Sequence, residues 1–142
     1  MAGMYSSDQV VVSLGGERLT GFAKGSAIKA ELMSDEATDD VGLDGRVAVS
    51  LSVDRRGTFT FELQAGSPSN AVLQRYATLL RNRNPDAFFA VEVNDLMQRR
   101  QASAARCWVK KRAGLEAAPE SGSNTWTVGA ADMDIQHQGE EE

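Results

Sequence analysis

Arg46-Val47-Ala48-Val49-Ser50-Leu51-Ser52 and Thr58-Phe59-Thr60-Phe61-Glu62-Leu63-Gln64 decide the fold of this chain. Both runs alternate strictly. Val47, Val49 and Leu51 share one side of the first, and Phe59, Phe61 and Leu63 share one side of the second. Successive side chains on a strand point to opposite faces, so period two predicts half-buried strands with one apolar face each. Val53-Asp54-Arg55-Arg56-Gly57 lies between them and reads as a turn. The two arms are therefore expected to form one antiparallel hairpin, apolar side inward. Its other side carries Ala48, Ser50, Ser52, Thr58, Thr60, Glu62 and Gln64, which are small, polar and almost uncharged. Such a face suits the wall of a smooth channel better than an ordinary solvated sheet.

More strands lie on either side. Gln9 to Leu14 is β-branched, and Gly15-Gly16 separates it from Glu17 to Phe22, a hairpin signal. Ala27 to Leu32 alternates as well. Met33 to Gly45 is acidic, lacks periodicity and ends in the turn pair Asp44-Gly45, so it reads as a long loop. One helix follows, with Ser67 as N-cap and Pro68 at the first helical position. Its apolar stripe is Val72, Leu73, Tyr76, Ala77, Leu79 and Leu80. Asn84-Pro85 ends it, because the proline pushes Asn84 out of the α region. Phe88 to Val93, Ala102 to Lys110 and Thr125 to Ala130 read as strands, with a turn at Asn94 to Arg100 and a loop at Gly114 to Asn124. The expected fold is mainly β: an antiparallel sandwich or barrel with one flanking α-helix.

The chain has 142 residues, enough for one domain. Residues 1–131 form the expected β domain, and 132–142 an acidic flexible tail, with Gly139 to Glu142 disordered. The net charge of -5 argues against a general nucleic-acid or membrane-surface binder. Five acids and no Lys or Arg fall in 132–142, so the body is neutral. Asp35, Glu36, Asp39, Asp40 and Asp44 form a second acidic block within the loop 33–45. The basic residues Arg55, Arg56, Arg99, Arg100, Lys110 and Lys111 sit on turns and strand ends. Each acidic block can find its complement on another copy of the same chain.

The sequence offers little chemistry. One Cys and one His exclude an intrachain disulfide framework and the paired-His metal motifs. No calcium-loop spacing occurs among the acids, and no glycine-rich phosphate loop leads into a helix. Cys107 reads as a packed, reduced thiol, Trp108 and Trp126 as core anchors, and His137 as a tail residue without a catalytic role. No enzyme, metal or cofactor is expected. Met1 to Asp8 has no secretory leader pattern, and no run is long and apolar enough to span a membrane.

Several blocks together carry a resemblance: Gly21-Phe22-Ala23-x-Gly25-Ser26-Ala27-Ile28, Val41-Gly42-Leu43-Asp44-Gly45-Arg46-Val47, Asp54-Arg55-Arg56-Gly57-Thr58-Phe59-Thr60 and Ser67-Pro68-Ser69-Asn70-x-x-Leu73. With Ala105 to Lys110 and Trp126-Thr127, they resemble the tail tube proteins of tailed bacteriophages, in the short single-domain group of phage structural proteins. The likeness runs from about Val10 to Val128. It departs between Asn94 and Arg100, where a turn glycine is usual, and in the acidic tail.

The resemblance implies a structural subunit of the virion tail, assembled in the host cytoplasm. Six copies form a ring whose inner sheets join into one continuous barrel, and the rings stack into a hollow conduit for genome ejection. It points to a contractile tail. The implied partners are other copies of the chain, sheath, baseplate and terminator proteins, and double-stranded DNA that passes without specific binding. The segment 33–45 matches the loop that reaches a neighbouring subunit or ring. Other readings are the tube of a secretion system and a small β-sandwich binding module.

Overall fold

In a computed structural model, residues 10–23, 28–115 and 122–137 are described. Ten strands and one helix follow in order: β1 (Val10–Leu14), β2 (Glu17–Leu19), β3 (Ile28–Leu32), β4 (Ala37–Val41), β5 (Val47–Leu51), β6 (Gly57–Gln64), α1 (Ser69–Arg81), β7 (Phe89–Asp95), β8 (Arg100–Lys111), β9 (Ser123–Ala130) and β10 (Met133–His137). A short 3-10 turn, Pro85–Ala87, links α1 to β7. The fold is mainly β and every pairing is antiparallel, as the alternating runs predict.

The main sheet runs β2-β1-β7-β8-β9-β6-β3. β8 pairs β7 along one edge, while β10 and then β9 share its other edge. β10 takes Arg100 to Ala104, and β9 takes Cys107 to Lys111. One long strand thus serves two halves of a curled sheet, and β10 comes beside β3. The core lies between the halves. Val12, Leu14, Val91 and Val93 from one half meet Phe59, Phe61, Leu63 and Val128 from the other. The rings of Phe59 and Phe61 stack at 5.9 Å. Gly15 and Gly16 turn the first hairpin with φ of 61° and 85°, a conformation that costs glycine nothing and side-chain-bearing residues a good deal.

α1 buries Ser69, Leu73 and Ala77, with Val72 and Tyr76 half-buried, so the predicted stripe is the packed face. Its start is tied down by side chains. Ser67 Oγ accepts from Ser69 N at 3.2 Å and donates to the Thr20 carbonyl at 2.5 Å. Ser69 Oγ accepts from Thr20 N at 2.8 Å. The Ser67-Pro68-Ser69-Asn70 block therefore fastens the helix to the strand edge. Pro68 already has α-type φ and ψ, and the helix proper begins one residue later, at Ser69.

Four expectations need correction. The hairpin joining 46–52 to 58–64 does not exist: β5 pairs β4 in a separate two-stranded sheet, and β6 pairs β3 and β9. Val47, Val49 and Leu51 face no core, being 59%, 66% and 82% exposed. The segment 33–45 is not a plain loop, because Ala37–Val41 is strand β4. The tail does not begin at 132, since β10 pairs β8 and Met133 is fully buried. A methyl group at Gly57 would come within 2.5 Å of the Met133 sulfur, so that closeness needs the glycine. Gly139 to Glu142, read as disordered, and Gly25 to Ala27 of the resemblance lie outside the described residues.

Candidate functional site

β4 and β5 form a ribbon whose ten strand residues are all exposed. Residues opposite each other in the register share a face. One face therefore carries Ala37, Asp39, Val41, Val47, Val49 and Leu51, and the other Thr38, Asp40, Ala48 and Ser50. The tip is a tight turn. Gly42 N donates to the Arg46 carbonyl at 2.8 Å, and Asp44 accepts from Arg46 N at 3.1 Å. Leu43 projects from it, fully exposed. A lone two-stranded ribbon is marginal in water, and an apolar row on both strands makes solvent a poor environment for it.

Side chains clamp the ribbon's base. Asp54 accepts from Ser34 Oγ at 2.6 Å and from Arg56 Nε and Nη2 at 2.8 and 2.9 Å. The Arg56 guanidinium, then the Ser34 hydroxyl, hold the Asp54 carboxyl well below the usual carboxylate range. Ser52 N donates to the Glu36 carbonyl and Met33 N to the Arg56 carbonyl, at 2.8 and 2.9 Å. Arg55 Nε reaches Asp132 at 2.8 Å and ties the base to the start of β10.

Sequence groupings come apart here. The five acids Asp35, Glu36, Asp39, Asp40 and Asp44 are spread on and below the ribbon, with Asp39 and Asp40 on opposite faces. The seven residues read as one channel-like face are divided: Ala48 and Ser50 are on the ribbon, Ser52 is at its base, and Thr58, Thr60, Glu62 and Gln64 are on the outer side of β6. β9 extends that outer side with Thr127 opposite Thr60, Thr125 opposite Glu62 and Ser123 opposite Gln64. Ser123 Oγ donates to Glu62 Oε1 at 2.8 Å. The face stays small and polar, and β3 adds Lys29 and Glu31 at its edge, 3.6 Å apart.

The basic residues also divide. Arg55, Arg56 and Arg100 are committed to Asp132, Asp54 and Asp95. Partial burial pushes the Asp95 carboxyl up, but Arg100 and the amides of Gln98 and Met97 outweigh it and hold it low. Arg99 sits at φ 54° in the β7–β8 turn. Lys110 and Lys111 lie at the far end of β8. Together with Arg81 and Arg83 from the end of α1 and Arg112, they line a broad groove of about 940 Å³. Nothing in the linear spacing of Arg81 and Lys110 showed that these two segments meet.

The remaining candidates have structural roles. Cys107 is buried, and burial pushes its thiol up to about 12. Trp126 is a core residue as read, whereas Trp108 is half-buried on the outer face against Gly129, with the Phe88 ring edge-on at 6.4 Å. His137 is on β10 opposite Arg100, in a cleft of about 310 Å³ with Asp95 and Ile28. Among the described residues no three of His, Cys, Asp and Glu converge as metal ligands, and no helix is long and apolar enough to cross a membrane.

No protein-family model and no curated protein sequence matches the chain. Solved structures do. The fold is similar to that in the cryo-EM structure of an extracellular contractile injection system, the PVC sheath–tube complex in its extended state. That likeness has TM-score 0.61 and 10% identity over 96% of this chain and 93% of the other. It is also similar to the anti-feeding prophage cap, the AFP tube-terminating cap, with TM-score 0.58 and 13% identity over 96% and 95% of the two chains. A third likeness is to the PVC sheath/tube terminator in its extended state, with TM-score 0.57 and 13% identity over 95% and 99%. What is shared at such identities is the fold, and it is shared end to end.

Proposed function

We propose that this chain is a non-enzymatic structural subunit of a phage-tail-like tube. Copies form rings, taken as hexameric from the phage resemblance, and the rings stack into a hollow conduit inside a contractile sheath. The observation that carries this reading is the ribbon. Its apolar row, Val41, Val47, Val49 and Leu51, is exposed in the single chain and calls for a protein surface to cover it. A second copy supplies that surface in a head-to-tail contact, which closes into a ring or continues as a filament. Three solved proteins of injection-system tubes, sheaths or caps share the whole fold, which supports the same reading.

In this arrangement the Thr/Ser face of β6 and β9 lines the lumen. DNA is held by clustered Lys and Arg, so a wall of Thr58, Thr60, Thr125 and Thr127 lets it pass. Sheath, baseplate and terminator proteins are the further partners, and the assembled tail is the location.

A terminating cap is the second reading, because two of the three similar structures are a cap and a terminator. The two readings differ in self-stacking. Negative-stain microscopy of the concentrated protein should show long tubes of one diameter for a tube subunit and single rings for a cap. A protein that stays monomeric at every concentration, alone or with tube ends added, would sink both. Val49→Asp with Leu51→Lys should leave the thermal midpoint within about 2 °C, since exposed sites contribute little to folding, and should abolish rings.

A further inference from the structure

We infer that the basic groove between the end of α1 and the end of β8 is the receptor for the ribbon tip of a neighbouring copy. This rests on the self-assembly reading and names the surface that the ribbon meets. Arg81, Arg83, Lys110, Lys111 and Arg112 crowd the rim, and among the described residues none of them has a carboxylate partner. The negative end of the α1 dipole accounts for Arg81 and Arg83. It does not account for Lys110 and Lys111 at the end of β8 and Arg112 just beyond it, which repel one another until an anion arrives. The floor is apolar, with Leu80 and Val109 among its lining.

The ribbon has the complementary chemistry. Asp39 and Asp40 also lack an ion-pair partner among the described residues, and Asp44 is taken by Arg46 at 3.4 Å. Leu43 stands fully exposed between them and supplies an apolar knob for the floor. The ribbon has no extensive contact with α1 or β8 of its own chain. A second copy is the simplest source of five cations beside an apolar floor, and pairing across copies relieves like-charge repulsion at both ends.

Charge exchange tests this. Lys110→Glu with Lys111→Glu, and separately Asp39→Lys with Asp40→Lys, should each raise the concentration needed for assembly about tenfold or more, while a mixture of the two double variants recovers most of the loss. Where the two variants alternate, every ribbon-to-groove contact is charge-matched, so the mixture should co-assemble where neither variant does alone. Circular dichroism checks that each remains folded. Mixed Leu43→Cys and Leu80→Cys chains should cross-link through a short bismaleimide, and Cys107, with its thiol pushed up to about 12, stays silent. Tubes that form normally from both charge variants, or assembled material without the Leu43–Leu80 cross-link, would overturn this contact and leave the tube reading standing. Loss of assembly on deleting Glu140–Glu142 alone would reassign the groove to the tail. A wild-type chain that never assembles would overturn both.

Discussion

Trp126 Nε1 donates to Asn70 Oδ1 at 2.9 Å, tying the middle of β9 to the first turn of α1. The same oxygen accepts from Asn124 Nδ2 at 3.1 Å, and Asn70 Nδ2 donates to the Gln64 and Ser67 carbonyls at 2.9 and 3.0 Å. One amide therefore satisfies groups from three segments. Asn70→Ala strands all of them and should lose about 2–3 kcal/mol, whereas Trp126→Phe, which keeps most of the ring, should lose about 1 kcal/mol. Urea unfolding at constant m-value reads both. An Asn70→Ala midpoint equal to wild type would show that water replaces the amide.

Trp108 lies directly over Gly129, and a methyl group there would come within 2.7 Å of the indole. Gly129→Ala should cost about 1–3 kcal/mol, the usual range for overpacking. In a Trp108→Ala background most of that cost should vanish, giving a coupling of about 1 kcal/mol or more. Additive losses would place the strain in the backbone instead.

Asp54 gives the ribbon base a pH dependence. Its carboxyl is held below the ordinary value of 3.8. A depressed carboxylate stabilises the folded state at pH above the unfolded value, and that contribution is lost as pH falls further. Amides around Ser34 and Ser52 should exchange normally at pH 6 and faster below about pH 4, relative to the β6–β9 core. Asp54→Asn should show the fast exchange at both pH values. Equal protection at pH 3 and pH 6 in the wild type would remove Asp54 from that role.

Thr60 stands at the centre of the β6–β9 outer face, opposite Lys29 on one side and Thr127 on the other. Thr60→Lys should leave assembly intact, since the site is on neither the ribbon nor the basic groove. It adds one positive charge per subunit to the channel wall. Tubes of this variant should retain double-stranded DNA at low salt and release it as salt rises. DNA passage indistinguishable from wild type would show that another face lines the channel.

Where sequence signals were local, they were legible. Gly15-Gly16 fixed the first hairpin, and the stripe of α1 named its buried face. The β7–β8 hairpin was readable from alternation either side of Asn94 to Arg100. The failures share one cause. Period two shows that Val47, Val49 and Leu51 share a face, but not what that face meets. The same pattern in Phe59, Phe61 and Leu63 does meet the core. β4 was invisible because Ala-Thr-Asp-Asp-Val has poor strand propensity and is held by its pairing with β5. β10 was masked by the surrounding acids, although Met133 and Ile135 alternate with Asp134 and Gln136. The basic groove needed α1 and β8 to be brought together, which no linear spacing encodes.

The ribbon's two arms continue β3 and β6, which are themselves paired, with Leu32 opposite Gly57. β6 is in turn paired with β9 along its whole length. A pull on the ribbon therefore runs along the strands, not across them. Hydrogen bonds loaded in this direction must slip together, whereas those at a peeled edge break one at a time. If neighbours grip one another by the ribbon, traction on the assembly is shared by the entire β6–β9 ladder, and the joint yields at the contact before the subunit unravels.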